Sequence, residues 1–129
     1  MLTNAQVEAI IPVSDVDEAA SFYGEKLGLD VLDRIDVLPD NPEVRFRTRN
    51  GTLAAYKSVG AGQSRHTLVG FIVDDVRSAV AALRERGVTF EEYDLPEIKT
   101  EAGVAQTGTI TAAWFKDPDG NILSINSYG

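Results

Sequence analysis

The sequence predicts an α+β protein made of two tandem βαβββ modules, and three observations carry that expectation. The first is an internal repeat. At an offset of 60 residues Val13 falls on Val73, Asp15 on Asp75, Val16 on Val76 and Ala19 on Ala79. A second block, Asn50-Gly51-Thr52-Leu53, lies over Asp119-Gly120-Asn121-Ile122 at an offset of 69. The second observation is that each copy opens with a β-rich apolar run of strand length, Val7 to Val13 and Thr67 to Val73. The third is that a capping aspartate and a helical apolar period follow each run.

The elements follow in order. Asp15 and Asp75 are expected N-caps, and Asp15 with Glu18 three residues on makes a capping box. Behind them Val16, Ala19, Ala20, Tyr23 and Leu27 recur at helical spacing, as do Val76, Ala79, Val80 and Leu83. Gly28 and Gly87 are expected to end these helices. Extended segments are expected over Leu29 to Ile35 and Val88 to Tyr93. Hairpins should turn at Asn50-Gly51 and at Asp117-Pro118-Asp119-Gly120. Module one is read as about 5–58, the joint as 59–65 and module two as about 66–128, within one domain spanning 1–129. Leu95 to Gly108 reads as a long loop.

Composition narrows the function. Twelve basic residues stand against 20 acidic ones, a net charge of −8. Nucleic acids and anionic membranes select a positive footprint, so neither is expected as a partner. The absence of cysteine removes disulfides, thiolate metal sites and a cysteine nucleophile. The first ten residues hold no basic side chain, unlike a secretory signal, and a cytoplasmic protein is expected. No phosphate-cradling glycine loop and no nucleophile elbow occur.

The run Pro12-Val13-Ser14-Asp15-Val16 leading to Phe22-Tyr23 and Lys26-Leu27-Gly28-Leu29 resembles the first module of the vicinal oxygen chelate superfamily. That group holds glyoxalases, bleomycin-resistance proteins and extradiol dioxygenases. Trp114-Phe115-Lys116-Asp117-Pro118-Asp119-Gly120-Asn121 resembles its second-module hairpin, so the resemblance covers nearly the whole chain. It implies an eight-stranded cup-like sheet with helices on its outer face, and a homodimer. In the family's enzymes four side chains on the cup floor hold a divalent metal. The positions carried over here are Glu8, Ala55, Leu68 and Ser124. Only Glu8 is a strong ligand, and one carboxylate does not hold a transition metal. No cofactor is therefore expected. A divalent metal enters only through a displaced site of Glu8 and His66, helped by Glu97 and Glu101.

Without the metal, the cup is a concave apolar surface with a few polar groups, the usual form of a small-molecule site. Two-residue alternation adds Ile10 beside Glu8, Leu53 and Lys57 beside Ala55, and Asn126 beside Ser124. A three-residue loop in Asp-Pro-Asp-Gly pairs Asp117 with Asn121 and sets Trp114 against Ser124, where it can stack on a planar ligand, whereas a one-residue change of register would turn it into the core under a helix. A two-residue Asn50-Gly51 turn would send Arg45 and Arg47 away from the cup, whereas a three-residue one would bring them in. Asn-Gly favours the first. The expected ligand-binding set is thus Glu8, Ile10, Leu53, Ala55, Lys57, His66, Leu68, Trp114, Ser124 and Asn126. Glu8 is also the candidate base, should burial raise its pKa.

Two functions follow as expectations. One is a metal-free homodimer that captures a small molecule, as the bleomycin-resistance proteins it resembles do. The other is a glyoxalase- or dioxygenase-like enzyme using Glu8 and His66. A third reading has the protein act through its dimer surface.

Overall fold

A computed structural model describes residues 1–38 and 41–129, and the side chains of all of these except 36–38 and 41. The chain forms two compact units, Met1–Gln63 and Ser64–Gly129, each holding one four-stranded sheet. This is the α+β arrangement of two βαβββ-like modules.

In the first unit, β1 (Glu8–Val13) leads into a helical turn, α1 (Val16–Ala19), and a wider π-type segment over Ala20–Lys26. Asp15 caps it, its carboxylate accepting from the backbone N–H of Asp17 at 2.8 Å and of Glu18 at 3.1 Å. The expected regular helix is therefore present but widened. The Leu27 N–H reaches back five residues to the Phe22 carbonyl, and the adjacent Phe22 and Tyr23 are both buried. Gly28 ends the segment at φ 76°, a left-handed conformation that favours glycine.

Three strands complete the unit: β2 (Asp30–Leu38), β3 (Asn41–Arg47) and β4 (Thr52–Lys57). Their order is β1-β4-β3-β2, with β1 and β4 parallel. The core lies on one face, where Ile11, Val13, Val44, Phe46, Leu53 and Ala55 are all nearly or fully buried. The Tyr23 ring, 5.7 Å from that of Phe46, identifies this as the helix side. Burying each such aromatic contributes roughly 1.5–3 kcal/mol.

The second unit repeats the plan with β5 (Thr67–Ile72), α2 (Val76–Glu85), β6 (Val104–Thr107), β7 (Ile110–Lys116) and β8 (Ile122–Ser127). The order is β5-β8-β7-β6, again with parallel outer pairing of β5 and β8. Asp75 caps α2 through the Ser78 N–H at 3.1 Å and hydroxyl at 2.8 Å. Phe115, Leu123 and Ile125 are buried on the helix side. That side is marked by Arg84 of α2 over the Phe90 ring and by Phe90 against Phe115.

Two expectations need correction here. The segment 88–93 forms a single β-bridge with the sheet, Phe90 with Phe115, and is not a strand. The strand that takes its place, β6, lies inside the stretch read as a loop. Gly103 at φ 80° and the Glu101–Val104 turn bring the chain into register, and Val104 pairs with Ala113. With only four residues, of which Val104 and Ala105 alone are apolar, the segment shows no period-two pattern to set it apart from a loop.

Candidate functional site

The sheet face away from the helix is where a ligand would meet each unit, and pairing register decides which residues stand there. In the first unit Glu8 pairs with Thr52, Ile10 with Ala54 and Pro12 with Tyr56. Arg45 stands across from Ala54. These side chains share the helix-free face. Leu53 and Ala55, expected beside Glu8, instead pair with Ala9 and Ile11 and are buried on the helix side. Lys57 pairs with Val13 and is exposed at the strand end.

The physical reason lies in the two hairpins. Arg47 pairs with Thr52, but its counterpart pair is Lys116 with Ile122, so the second hairpin holds one residue more. Superposing Gly51 on Gly120 therefore shifts everything beyond the turn by one place. Ser124 corresponds to Ala54, not Ala55, and a one-residue slip flips every side chain to the other face. The glycine in Asn50-Gly51 also serves a different purpose from the one its sequence suggests. The turn closes between the Thr48 N–H and the Gly51 carbonyl at 3.1 Å. A Cβ on Gly51 would lie 2.6 Å from the Val7 carbonyl oxygen, so the residue is needed for close backbone approach.

Glu8 is half-buried, and one of its two carboxylate oxygens is engaged. Its Oε2 accepts from the Thr52 hydroxyl at 2.6 Å and from Arg45 Nε at 3.1 Å. Arg45 Nη1 also donates to Asp33 Oδ2 at 3.0 Å. Asp33 reaches that position through a β-bulge between Val31 and Asp33, which sets it opposite Arg45. The Thr52 hydrogen bond holds the Glu8 pKa below its ordinary value, outweighing partial burial, and Arg45 adds to the lowering. Arg45 is in turn raised, chiefly by its bond to Glu8. A lowered carboxylate is the opposite of what a general base at neutral pH needs. Arg45 thus joins the Glu8 face, contrary to the outward expectation.

In the second unit Trp114 pairs with Ser124, the register expected from the Asp-Pro-Asp-Gly loop, which closes through Asp117 N–H and the Asn121 carbonyl. Ala112 pairs with Asn126 beside them. On β5 the residue opposite Ser124 is Gly70 rather than Leu68, which falls in a bulge between Thr67 and Val69. A Cβ on Gly70 would lie 2.8 Å from Asn126 Nδ2 and 3.0 Å from Ser124 Oγ. The glycine therefore lets the Asn126 amide and the buried Ser124 hydroxyl pack directly over its backbone. Trp114 is partly exposed, and the Tyr93 ring meets it edge-on at 5.6 Å. Gly70 and Tyr93 escaped the sequence reading; the first lay hidden behind the bulge, the second beyond any repeat.

His66 precedes β5, is exposed, and lies 3.0 Å through Nδ1 from the Ser64 hydroxyl. Glu8 and His66 belong to different units. Among the described residues no three His, Asp or Glu side chains gather as a metal-holding group.

Comparison with known proteins now adds the family. The profile of the Glyoxalase/Bleomycin resistance protein/Dioxygenase superfamily matches residues 5–125. The chain belongs to this superfamily. Solved structures share its fold. UcmS2 is 22% identical with a TM-score of 0.74, covering 92% of this chain and 94% of that one. TnmS3, an antibiotic binding protein from Streptomyces sp. CB03234, is 24% identical with a TM-score of 0.72, covering 100% and 99%. A glyoxalase family protein from Enterococcus faecalis is 21% identical with a TM-score of 0.72, covering 98% and 99%. No curated protein matches the chain.

Many members of this superfamily use a divalent metal, so the donor set is the test. By the register found here the candidate positions are Glu8 and Ala54 in one unit, Gly70 or Leu68 and Ser124 in the other. Alanine, glycine and leucine offer no side-chain donor, and a hydroxyl is a poor ligand for Zn, Fe, Ni or Mn. A cation at Glu8 would also meet the positive charge of Arg45, 3.1 Å from the same carboxylate. These residues do not fit the group.

Proposed function

We propose that the chain is a metal-free small-molecule binding protein of the glyoxalase/bleomycin-resistance type, a cytoplasmic homodimer whose ligand occupies the cup expected from the family. The observation that carries this reading is the state of Glu8. The one strong ligand among the candidate positions is already neutralised by Arg45 and bonded by Thr52. The antibiotic-binding role printed for TnmS3 supports the same class of function.

The ligand chemistry follows from the second unit. Trp114 and Tyr93 offer aromatic surface, while Asn126, partly exposed beside Gly70, offers an amide with the buried Ser124 hydroxyl next to it. A planar ring system with a polar edge suits that combination.

Metal per chain is the deciding measurement, made on protein purified without chelators or a metal column and again after incubation with Ni, Mn, Zn and Fe. The expected value is well below one. Near-stoichiometric metal that is lost in Glu8→Ala would overturn the reading and favour an enzyme with a displaced site at Glu8 and His66. Planar aromatic compounds should then raise the melting temperature of the wild type and do so less for Trp114→Ala.

A further inference from the structure

The first unit carries a groove of about 550 Å³ whose two arginines the preceding chemistry does not use. Its walls are the segment Thr3 to Gln6, Leu32 and the turn region 47–52. The volume falls within the range of small-molecule sites.

Its charge runs against that of the chain. Arg47 and Arg49 line it, and among the described residues no aspartate or glutamate does, in a sequence with 20 acidic and 12 basic residues. Neither guanidinium has a hydrogen bond or ion pair among the described residues. Other arginines are committed: Arg34 to Asp17, Arg45 to Glu8 and Asp33, Arg84 to the Ala102 carbonyl. Even Asp30, opposite Arg47 in the β2–β3 register, makes no ion pair with it. The remaining lining is mostly uncharged and polar, including Asn4, Gln6 and Asn50.

We propose that this groove binds a small molecule through an oxyanion, a carboxylate or a phosphate, clasped by Arg47 and Arg49. A planar guanidinium matches either group with paired N–H donors, and charge-assisted bonds of this kind are roughly twice as strong as neutral ones. The net charge of −8 opposes the approach of an anion only at long range. Screening sets in beyond about 8 Å at physiological salt, so charges close to the groove count for more than the net charge. The proposal uses residues of the first unit alone and does not depend on the metal-free reading or on Trp114.

The test is a titration of the full-length, 15N-labelled chain with pyrophosphate and, separately, with citrate, at ionic strength held constant with NaCl. Saturable amide shifts are expected at residues 3–6 and 47–52. Arg47→Gln and Arg49→Gln should each raise the apparent Kd about tenfold, while Lys26→Gln, outside the groove lining, should leave it unchanged. Saturation by one probe alone identifies phosphate or carboxylate as the preferred oxyanion, and saturation by both supports the shared chemistry. Linear shifts scattered over the surface and matched by NaCl would overturn the proposal. So would undiminished binding by Arg47→Gln and Arg49→Gln proteins whose spectra show an intact fold.

Discussion

Arg45 Nε donates to Glu8 Oε2 at 3.1 Å, joining the third strand of the first sheet to the first strand across the fourth. That bond changes the meaning of Glu8. A carboxylate that sequence reading offers as ligand or base is, in the folded chain, the acceptor of a guanidinium and a hydroxyl.

Acid should therefore remove a defined contribution from Glu8. Its folded-state pKa lies below the unfolded value. The stabilisation is full above the ordinary carboxylate range near ~4.3 and is lost as pH falls through the lowered folded value. Glu8→Gln should cost about 1 kcal/mol at neutral pH. Urea unfolding of both proteins across pH should show that gap closing in acid; a gap that widens in acid contradicts the assignment.

Gly51→Ala is expected to destabilise the first unit. Its Cβ would meet the Val7 carbonyl oxygen at 2.6 Å, and the obstacle is backbone rather than a movable side chain. A cost of about 1–3 kcal/mol is expected, in the range of overpacked sites. Denaturant midpoints measure it, and wild-type stability would show that the strand entry can shift freely.

Gly70→Ala should behave differently. The atoms it would crowd, Asn126 Nδ2 and Ser124 Oγ, end side chains that can rotate. The expected stability loss is within about 1 kcal/mol, whereas ligand affinity should fall as the methyl pushes the Asn126 amide and Ser124 hydroxyl out of place. Calorimetry with any compound that stabilises the wild type separates the two effects. Equal affinity in the variant would place the ligand elsewhere.

Asp117 should prove structural. It is 5% exposed and accepts from the backbone N–H of Asp119 at 3.0 Å and of Asn121 at 2.9 Å, and from Asn121 Nδ2 at 2.8 Å. Asp117→Ala strands buried donors and should cost about 2–4 kcal/mol. A thermal melt of the variant tests this, and a melting temperature matching the wild type would rule it out.

Much of this protein was legible before any coordinates. The duplication, both aspartate caps, the glycine ends and the Trp114–Ser124 register all follow from local chemistry, because caps and tight turns are decided by residues within a few positions of one another. The Glu8 face is half legible: the sequence sets Glu8 beside Ile10, but it does not mark Thr52 or Ala54, and its Asn-Gly turn favours the outward side for Arg45. Leu53 and Ala55 were assigned to the wrong side for want of one residue in a hairpin. β6 was missed because a four-residue edge strand carries too little pattern to stand out from a loop.

By itself, then, the sequence determined the fold class, the two modules and their repeated order of strands and helices. Periodicity and capping are properties of contiguous residues, and a single chain displays them fully. Tertiary structure alone decided which face each strand presents. Parallel pairing joins β1 to β4 and β5 to β8 across more than 35 residues of chain. With a side-chain period of two, one inserted residue or one bulge along that path reverses the outcome. That is why Arg45 meets Glu8 and Gly70 meets Ser124, and why both relationships had to be seen in the folded chain.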